Sequence, residues 1–159
     1  MVVVQWSLRE SVQADAEWIA ELRAEVMRPD LKRLGRYDPV RVRRRFLDAF
    51  VPRNTRIICV DGQDVGSIAV RREADCFWIE HFYLDPPTQG RGVGRQVLMH
   101  ALDSGGGDMS FRLHVLQGSR ARRLYEDQGF TAEDEDSVDV YMIRRPRAPA
   151  RRRSTGAIS

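Results

Sequence analysis

Two cysteines, Cys59 and Cys76, are too few for a disulfide framework. Both stand in strand-like runs, and the simplest expectation is a reduced, cytoplasmic chain. Neither has a nearby His, a glycine turn or a helix start, the contexts that make a thiol nucleophilic, so both read as core. No Cys-x-x-Cys or His-x-x-x-His spacing occurs, and no metal is expected. No apolar run approaches the roughly 18 residues that a membrane helix needs. The first ten residues, MVVVQWSLRE, lack a basic stretch ahead of their apolar residues and do not read as a signal peptide. Lysine is nearly missing: of 26 basic residues only Lys32 is Lys. That imbalance reads as the codon usage of a GC-rich bacterium, not as function.

What is present is an ordinary domain's worth of chain, 159 residues of which 42% are apolar and 31% charged. The net charge of +3 is unevenly placed. Arg144, Arg145, Arg147, Arg151, Arg152 and Arg153 all follow the last acid, Asp139; without them 20 basic residues face 23 acidic ones. Residues 1–145 therefore read as a mildly acidic folded domain. That argues against a general nucleic-acid surface. Residues 146–159, rich in Pro, Arg and Ser, read as a basic, disordered tail. A chain ending at Arg145 is expected to keep its melting temperature and turnover, and a large loss of either would show that the tail contributes.

Val2–Leu8 reads as a first strand. Ser11 is placed to cap a helix to about Arg28, with Ala16, Ile19, Leu22 and Val26 on one face and Pro29 as its stop. Asp38-Pro39 opens a second helix that gathers Val42, Phe46, Ala49 and Phe50; the arginines at 41, 43, 44 and 45 read as solvated surface. Strands at 55–60 and 65–72 flank Asp61-Gly62, a hairpin signal. Residues 76–84 form a strand that is apolar on both faces, read as central. A helix to about Asp103, a strand at 110–116, a helix at 120–128 closed by Gly129, and two last strands complete the order. Seven strands and four helices predict an α/β fold, a mixed sheet with helices on both faces.

The chemistry concentrates in Gln89-Gly90-Arg91-Gly92-Val93-Gly94-Arg95, where a strand gives way to a helix. Three glycines let backbone amides converge on an anion at the positive end of a helix dipole, and Arg91 and Arg95 add formal charge. A dinucleotide fingerprint fails because position 95 is Arg, and a P-loop fails for want of Gly-Lys-Ser/Thr.

Residues 89–94 match the Gln/Arg-x-x-Gly-x-Gly/Ala signature of the GNAT acetyltransferase superfamily, and Phe82-Tyr83-Leu84-Asp85-Pro86 resembles the strand leading into it. Ala121-Arg-Arg-Leu-Tyr125 with Glu126 and Gly129-Phe130 resembles the family's second motif, and the element order is also the family's. The likeness spans nearly all of residues 1–145. It implies a mostly antiparallel sheet with one splayed strand pair, and acetyl-coenzyme A as co-substrate. Its pyrophosphate would lie on Gln89, Gly90, Arg91, Gly92, Val93, Gly94 and Arg95, with the pantetheine arm adding to the strand edge near Phe82 and Leu84. The Asn usual in the second motif is absent. Its place falls at Gly118 or Ser119, and Ser119 can still donate a hydrogen bond.

By the same resemblance Tyr125 is the acid that protonates the departing thiolate, one helical turn after the small Ala121. Glu80, a carboxylate on an apolar strand, is the candidate base, sharing a face with Trp78 and Phe82 if no bulge intervenes. The bland reading for Glu80 is a salt bridge to an arginine. His81 then points the opposite way and reads as a core histidine. Trp18, Met27, Tyr37 and the 41–45 arginines lie where the family builds its acceptor site, though ordinary packing accounts for them too. The acceptor is expected to be a primary amine, and a homodimer is an assembly the resemblance leaves open. Two other readings remain: an acyl-coenzyme A sensor without turnover, and an interaction protein acting through the arginine tail.

Overall fold

The computed structural model describes residues 3–146, so the tail expected over residues 146–159 lies, apart from Pro146, outside the described residues. The strands are β1 (Trp6–Glu10), β2 (Thr55–Val60), β3 (Gln63–Arg72), β4 (Cys76–Leu84), β5 (Ser110–Leu116), β6 (Thr131–Glu135) and β7 (Asp139–Arg144). The helices are α1 (Ala16–Arg33), α2 (Pro39–Ala49), α3 (Val93–Ser104) and α4 (Ala121–Asp127). One sheet runs β1-β2-β3-β4-β5-β7-β6, and only the β4–β5 step is parallel. The mixed, mostly antiparallel α/β architecture is the one the sequence predicted.

The β2–β3 turn is tighter than expected. Asp61 and Gly62 both take positive φ, 52° and 76°, the geometry of a two-residue type I′ hairpin, so β3 begins at Gln63 and not at Val65. Helix α1 departs more. Ser11 does not cap it; its Oγ donates to the Pro52 carbonyl at 2.8 Å. The helix also runs through Pro29 to Arg33. Proline removes one amide donor near the end of a helix, and the ladder resumes when the Leu34 amide bonds the Asp30 carbonyl at 3.0 Å. The additional turn carries Arg33 to the Gln117 carbonyl at 2.5 Å and to Asp30 at 2.9 Å.

Asp15 fixes the approach to α1. Its carboxylate accepts from the Val12 amide (2.9 Å), Trp18 Nε1 (2.9 Å) and the Arg9 guanidinium (2.8 and 3.1 Å). Hydrogen bonds from Arg9 outweigh burial and hold the Asp15 carboxyl at about 2. Its ordinary value is near 3.9, so the network's stabilisation is complete above about pH 4 and is lost as pH falls toward 2. The Arg9 side chain is 38% exposed, which screens the pair, and the effect should be about 1–2 kcal/mol. Urea melts at pH 7 and pH 2.5 check this: Asp15→Asn should be less stable at pH 7, with the gap to the parent protein narrowing in acid. A gap independent of pH would remove the ionic account.

Two apolar layers sandwich the sheet. On one face Val93, Val97, Leu98 and Leu102 of α3, Tyr125 of α4 and Phe130 pack on Ile58, Ile68, Ile79, Leu113, Val140 and Met142. On the other, Ala16, Ile19 and Ala20 of α1 and Phe46 of α2 pack on Ile57. Strand β4 serves both layers through a bulge. Its register with β3 shifts between Ser67 and Ala69, and His81 sits opposite the shift at φ 48°. A non-glycine residue in that region is strained by about 1–2 kcal/mol. It is held there by Ser67 Oγ, which donates to the His81 carbonyl at 2.7 Å, and by the edge of Phe46.

The bulge overturns the expected facing of β4. Phe77 and Ile79 face the α3–α4 layer, and after His81 so do Phe82 and Leu84. His81 and Tyr83 face α1 and α2, where His81 meets Phe46 and Tyr83 meets Arg23. Glu80 therefore does not share a face with Phe82, and His81 does not point away from Glu80. The extra residue reverses the alternation between 80 and 82.

Candidate active site

Parallel strands β4 and β5 pair only at Cys76–Ser110, Phe77–Phe111 and Trp78–Arg112, then diverge. Between them opens a cleft of about 1780 Å³, floored by Ile79–Leu84 of β4 and Leu113–Leu116 of β5. At one end lies the loop from Gln89 to α3; at the other, α1 and α2 cross above. The edge of β4 facing β5 is thus left, beyond Trp78, without a strand partner among the described residues. The Leu84 carbonyl accepts from Gln89 Nε2 at 2.8 Å, so on this edge Leu84 offers a ligand its N–H. Gln89 acts here as a clasp that folds the loop back onto β4.

Gly90 and Gly92 take φ of 76° and 84°, and a Cβ built on either meets nothing within 4 Å. The glycines serve backbone shape and leave open space beside it. Gly94 has another reason: a Cβ there would lie 3.3 Å from Leu84, so its smallness lets α3 sit against β4. The first helical bond of α3 runs from the Gln96 amide to the Gly92 carbonyl at 3.2 Å. The amides of Val93, Gly94 and Arg95 precede it and have no partner among the described residues. Val93 itself is buried and anchors the helix start. Arg91 and Arg95 are exposed and unpaired among the described residues, and Arg95 borders the cleft. The arrangement can hold a phosphoryl group.

Tyr125 stands in the cleft wall, with its ring 6.5 Å from Phe82 and 5.9 Å from Phe130. The residue is 8% exposed, and its hydroxyl has no protein partner among the described residues. Burial pushes its phenol up, so it is protonated at neutral pH. Ser119 also borders the cleft; its Oγ accepts from the Ala121 amide at 3.2 Å, which leaves its O–H free to donate. Glu80 Oε1 receives both Arg71 bonds, Nε at 3.1 Å and Nη2 at 2.8 Å, while Oε2 has no partner among the described residues. Both readings of Glu80 thus meet: it is salt-bridged, and it borders the cleft with one oxygen free.

His114 of β5, which the sequence did not place at the site, faces the cleft beside Tyr141, and Met27, which the resemblance put near the acceptor site, overhangs it from α1. Arg23 donates to Tyr83 Oη at 2.9 Å, and Tyr83 lies 3.3 Å from His81 Nδ1. Burial first of all depresses His81 to about 4, so the ring is neutral at physiological pH. Trp18 and Tyr37 line a separate hollow of about 470 Å³ along α1, not the cleft. Tyr37 is flanked there by Arg28 and Lys32. Burial and an adjacent Asp64 raise the Cys59 thiol, which disfavours its thiolate, and Cys76 is buried.

No curated protein sequence matches the chain. In structure it is similar to the PaiA N-acetyltransferase of Thermoplasma acidophilum in complex with coenzyme A, with TM-score 0.71, 19% identity, and coverage of 89% of this chain and 99% of that one. It is also similar to the ribosomal-protein-S18-alanine N-acetyltransferase of Escherichia coli, with TM-score 0.69, 15% identity and coverage of 93% and 98%. An acetyltransferase from Thermus thermophilus gives 0.70, 19%, 91% and 99%. At these identities the likeness concerns the fold. Residues 53–132, from the segment just before β2 through the glycine loop and α4 to β6, match the acetyltransferase (GNAT) domain family in sequence, and the chain belongs to that family.

Proposed function

We propose that the protein is an acetyl-coenzyme A-dependent N-acetyltransferase that acts on a primary amine in a ternary complex. The observation that carries this is the free edge of β4. It leads at one end into unpartnered α3 amides and passes the unpartnered Tyr125 hydroxyl in the same cleft. The coenzyme A bound by the Thermoplasma relative supports the same ligand here. The thioester supplies an activated acetyl group. The α3 amides and Arg95 hold its pyrophosphate, Ser119 donates to the pantetheine arm, and the Leu84 N–H polarises the thioester carbonyl. Tyr125 delivers a proton to the leaving sulfur. A neutral phenol that opens into the cleft with no hydrogen-bond partner among the described residues favours turnover over mere sensing.

Glu80 takes the proton of the incoming ammonium through Oε2, directly or by way of a water. Glu80→Gln keeps the shape and an acceptor for Arg71 but loses the base. Its kcat/KM should fall by about tenfold or more, with acetyl-coenzyme A affinity unchanged. An unaltered kcat/KM would assign the proton to solvent. The activity itself is tested by incubating the protein with acetyl-coenzyme A and a panel of amines, following thiol release and the mass of each product. A gain of one acetyl group on an amine is the expected result; tight coenzyme A binding with no acetylated amine would favour a sensor.

A further inference from the structure

Helix α2 carries Arg41, Arg43, Arg44 and Arg45, which sequence alone reads as solvated surface, but the fold divides them. Arg43 turns to α1 and forms a two-pronged pair with Glu21, at 2.6 and 3.0 Å. Arg44 is exposed and does not border the cleft. Arg41 and Arg45, one helical turn apart, edge the cleft together with Ala49. Neither side chain has an ion pair or hydrogen bond among the described residues.

The acids that share this end of the cleft are mostly engaged elsewhere. Glu80 is held by Arg71 and Asp30 by Arg33. Asp38 accepts from the Val40 and Arg41 amides, and Asp136 accepts from the Val138 and Asp139 amides with Arg36 nearby. Asp139 is the one cleft acid whose carboxylate has no partner among the described residues. The arginines of α1 are also occupied: Arg23 by Tyr83 and the Val42 carbonyl, Arg33 by Asp30 and the Gln117 carbonyl. Arg41 and Arg45 thus present two guanidinium groups without an ion pair among the described residues to a concave site, with the Asp38 carboxylate near Arg41, and low-dielectric walls concentrate their field.

We propose that Arg41 and Arg45 bind the acceptor, and that the acceptor is a primary amine carrying an anionic group, a carboxylate or a phosphate. The inference rests on the acetyl-transfer reading above. The anion is gripped by two guanidinium forks on α2, a geometry suited to planar or tetrahedral oxyanions. The amine is thereby directed at β4, whose Glu80 borders the same cleft. The glycine loop at the far end is a second, separate anion site. The cleft thus reads one anion on each side of the acetyl group.

The test uses acceptors in pairs that differ only in charge: an amino acid and its amide, an aminoalkyl phosphate and the amino alcohol, a short acidic peptide and its Gln/Asn counterpart. The whole chain should prefer the anionic member of at least one pair by about tenfold to a hundredfold in kcat/KM, the size expected of charged hydrogen bonds. The successful pair identifies the anion's source. Arg41→Glu with Arg45→Glu should abolish or invert that preference and leave acetyl-coenzyme A affinity unchanged. At Arg41, in the first turn of α2, a carboxylate suits the helix dipole, and Arg45 is exposed with no partner among the described residues to lose, so folding should survive; should it not, Arg41→Gln with Arg45→Gln gives the same reading with smaller effect. Equal use of neutral amines overturns the inference while leaving acetyl transfer intact. A drop in acetyl-coenzyme A affinity in the variants also overturns it, because the arginines would then serve the coenzyme. Failure of every amine overturns the acetyl-transfer reading and this inference with it.

Discussion

Tyr125→Phe is expected to lower turnover by about 10²–10⁴-fold, the usual worth of a positioned general acid. Acetyl-coenzyme A affinity should hardly change. The substitution keeps the ring that packs beside Phe82 and Phe130 and deletes a hydroxyl that bonds no described residue, so no protein hydrogen bond is lost. Burial weakens Tyr125 as an acid. The thiolate it must protonate leaves into the same dry cleft, and the same desolvation makes that thiolate a stronger base. The gap between them therefore stays near its value in water, about 1.5 units between Tyr and an ordinary thiol. The high-pH limb of the rate profile should change too, because the group that must stay protonated is gone. Near-parent turnover in the variant would assign the proton to water and leave Tyr125 a packing residue.

How far the fold could be read in advance depended on the range of the cause. Local causes were legible. Asp61-Gly62 forces positive φ at two successive residues, and the hairpin followed. Asp38-Pro39 caps and starts α2 through its own carboxylate. Pro29 was misread as a stop because the cost of a proline depends on how many bonds remain after it. One lost donor near a helix end is small beside the tertiary contacts of Arg33 with the β5–α4 loop. The bulge in β4 was partly visible: its core-facing residues are odd at Phe77 and Ile79 and even at Phe82 and Leu84. That change of parity requires one inserted residue, but apolar residues on both faces are equally the mark of a central strand. Only the register with β3 distinguishes the two.

The site divides along the same line. The glycine loop, Tyr125 and Ser119 lie within two short motifs, and the sequence brought them out together. The roof of the cleft comes from α1 and α2, far away in sequence, and the crossing of those helices decides which side chains overhang it. Hence Met27, Arg41 and Arg45 reach the cleft while Trp18 and Tyr37 do not, although spacing alone treats them alike. Gln89 likewise could not be read as a clasp, since its partner is the Leu84 carbonyl, free only because β5 has diverged.

Gly92→Asp is expected to weaken acetyl-coenzyme A binding at least tenfold, about 1.4 kcal/mol, by calorimetry. Gly92 precedes the first residue of α3 at φ 84°, and space around it is open, so a side chain meets no protein atom. The backbone strain is modest for this residue type, because Asp tolerates the left-handed region better than most. What changes is the field. A carboxylate placed beside the unpartnered Val93, Gly94 and Arg95 amides satisfies the helix end and opposes an incoming pyrophosphate. Gly92→Asn separates charge from shape: it carries the same bulk and the same φ, and should retain most of the affinity that Asp loses. If Asn and Asp weaken binding equally, the loop acts through its backbone shape alone. If neither weakens it while both variants melt like the parent protein, the coenzyme does not bind at Gln89–Arg95.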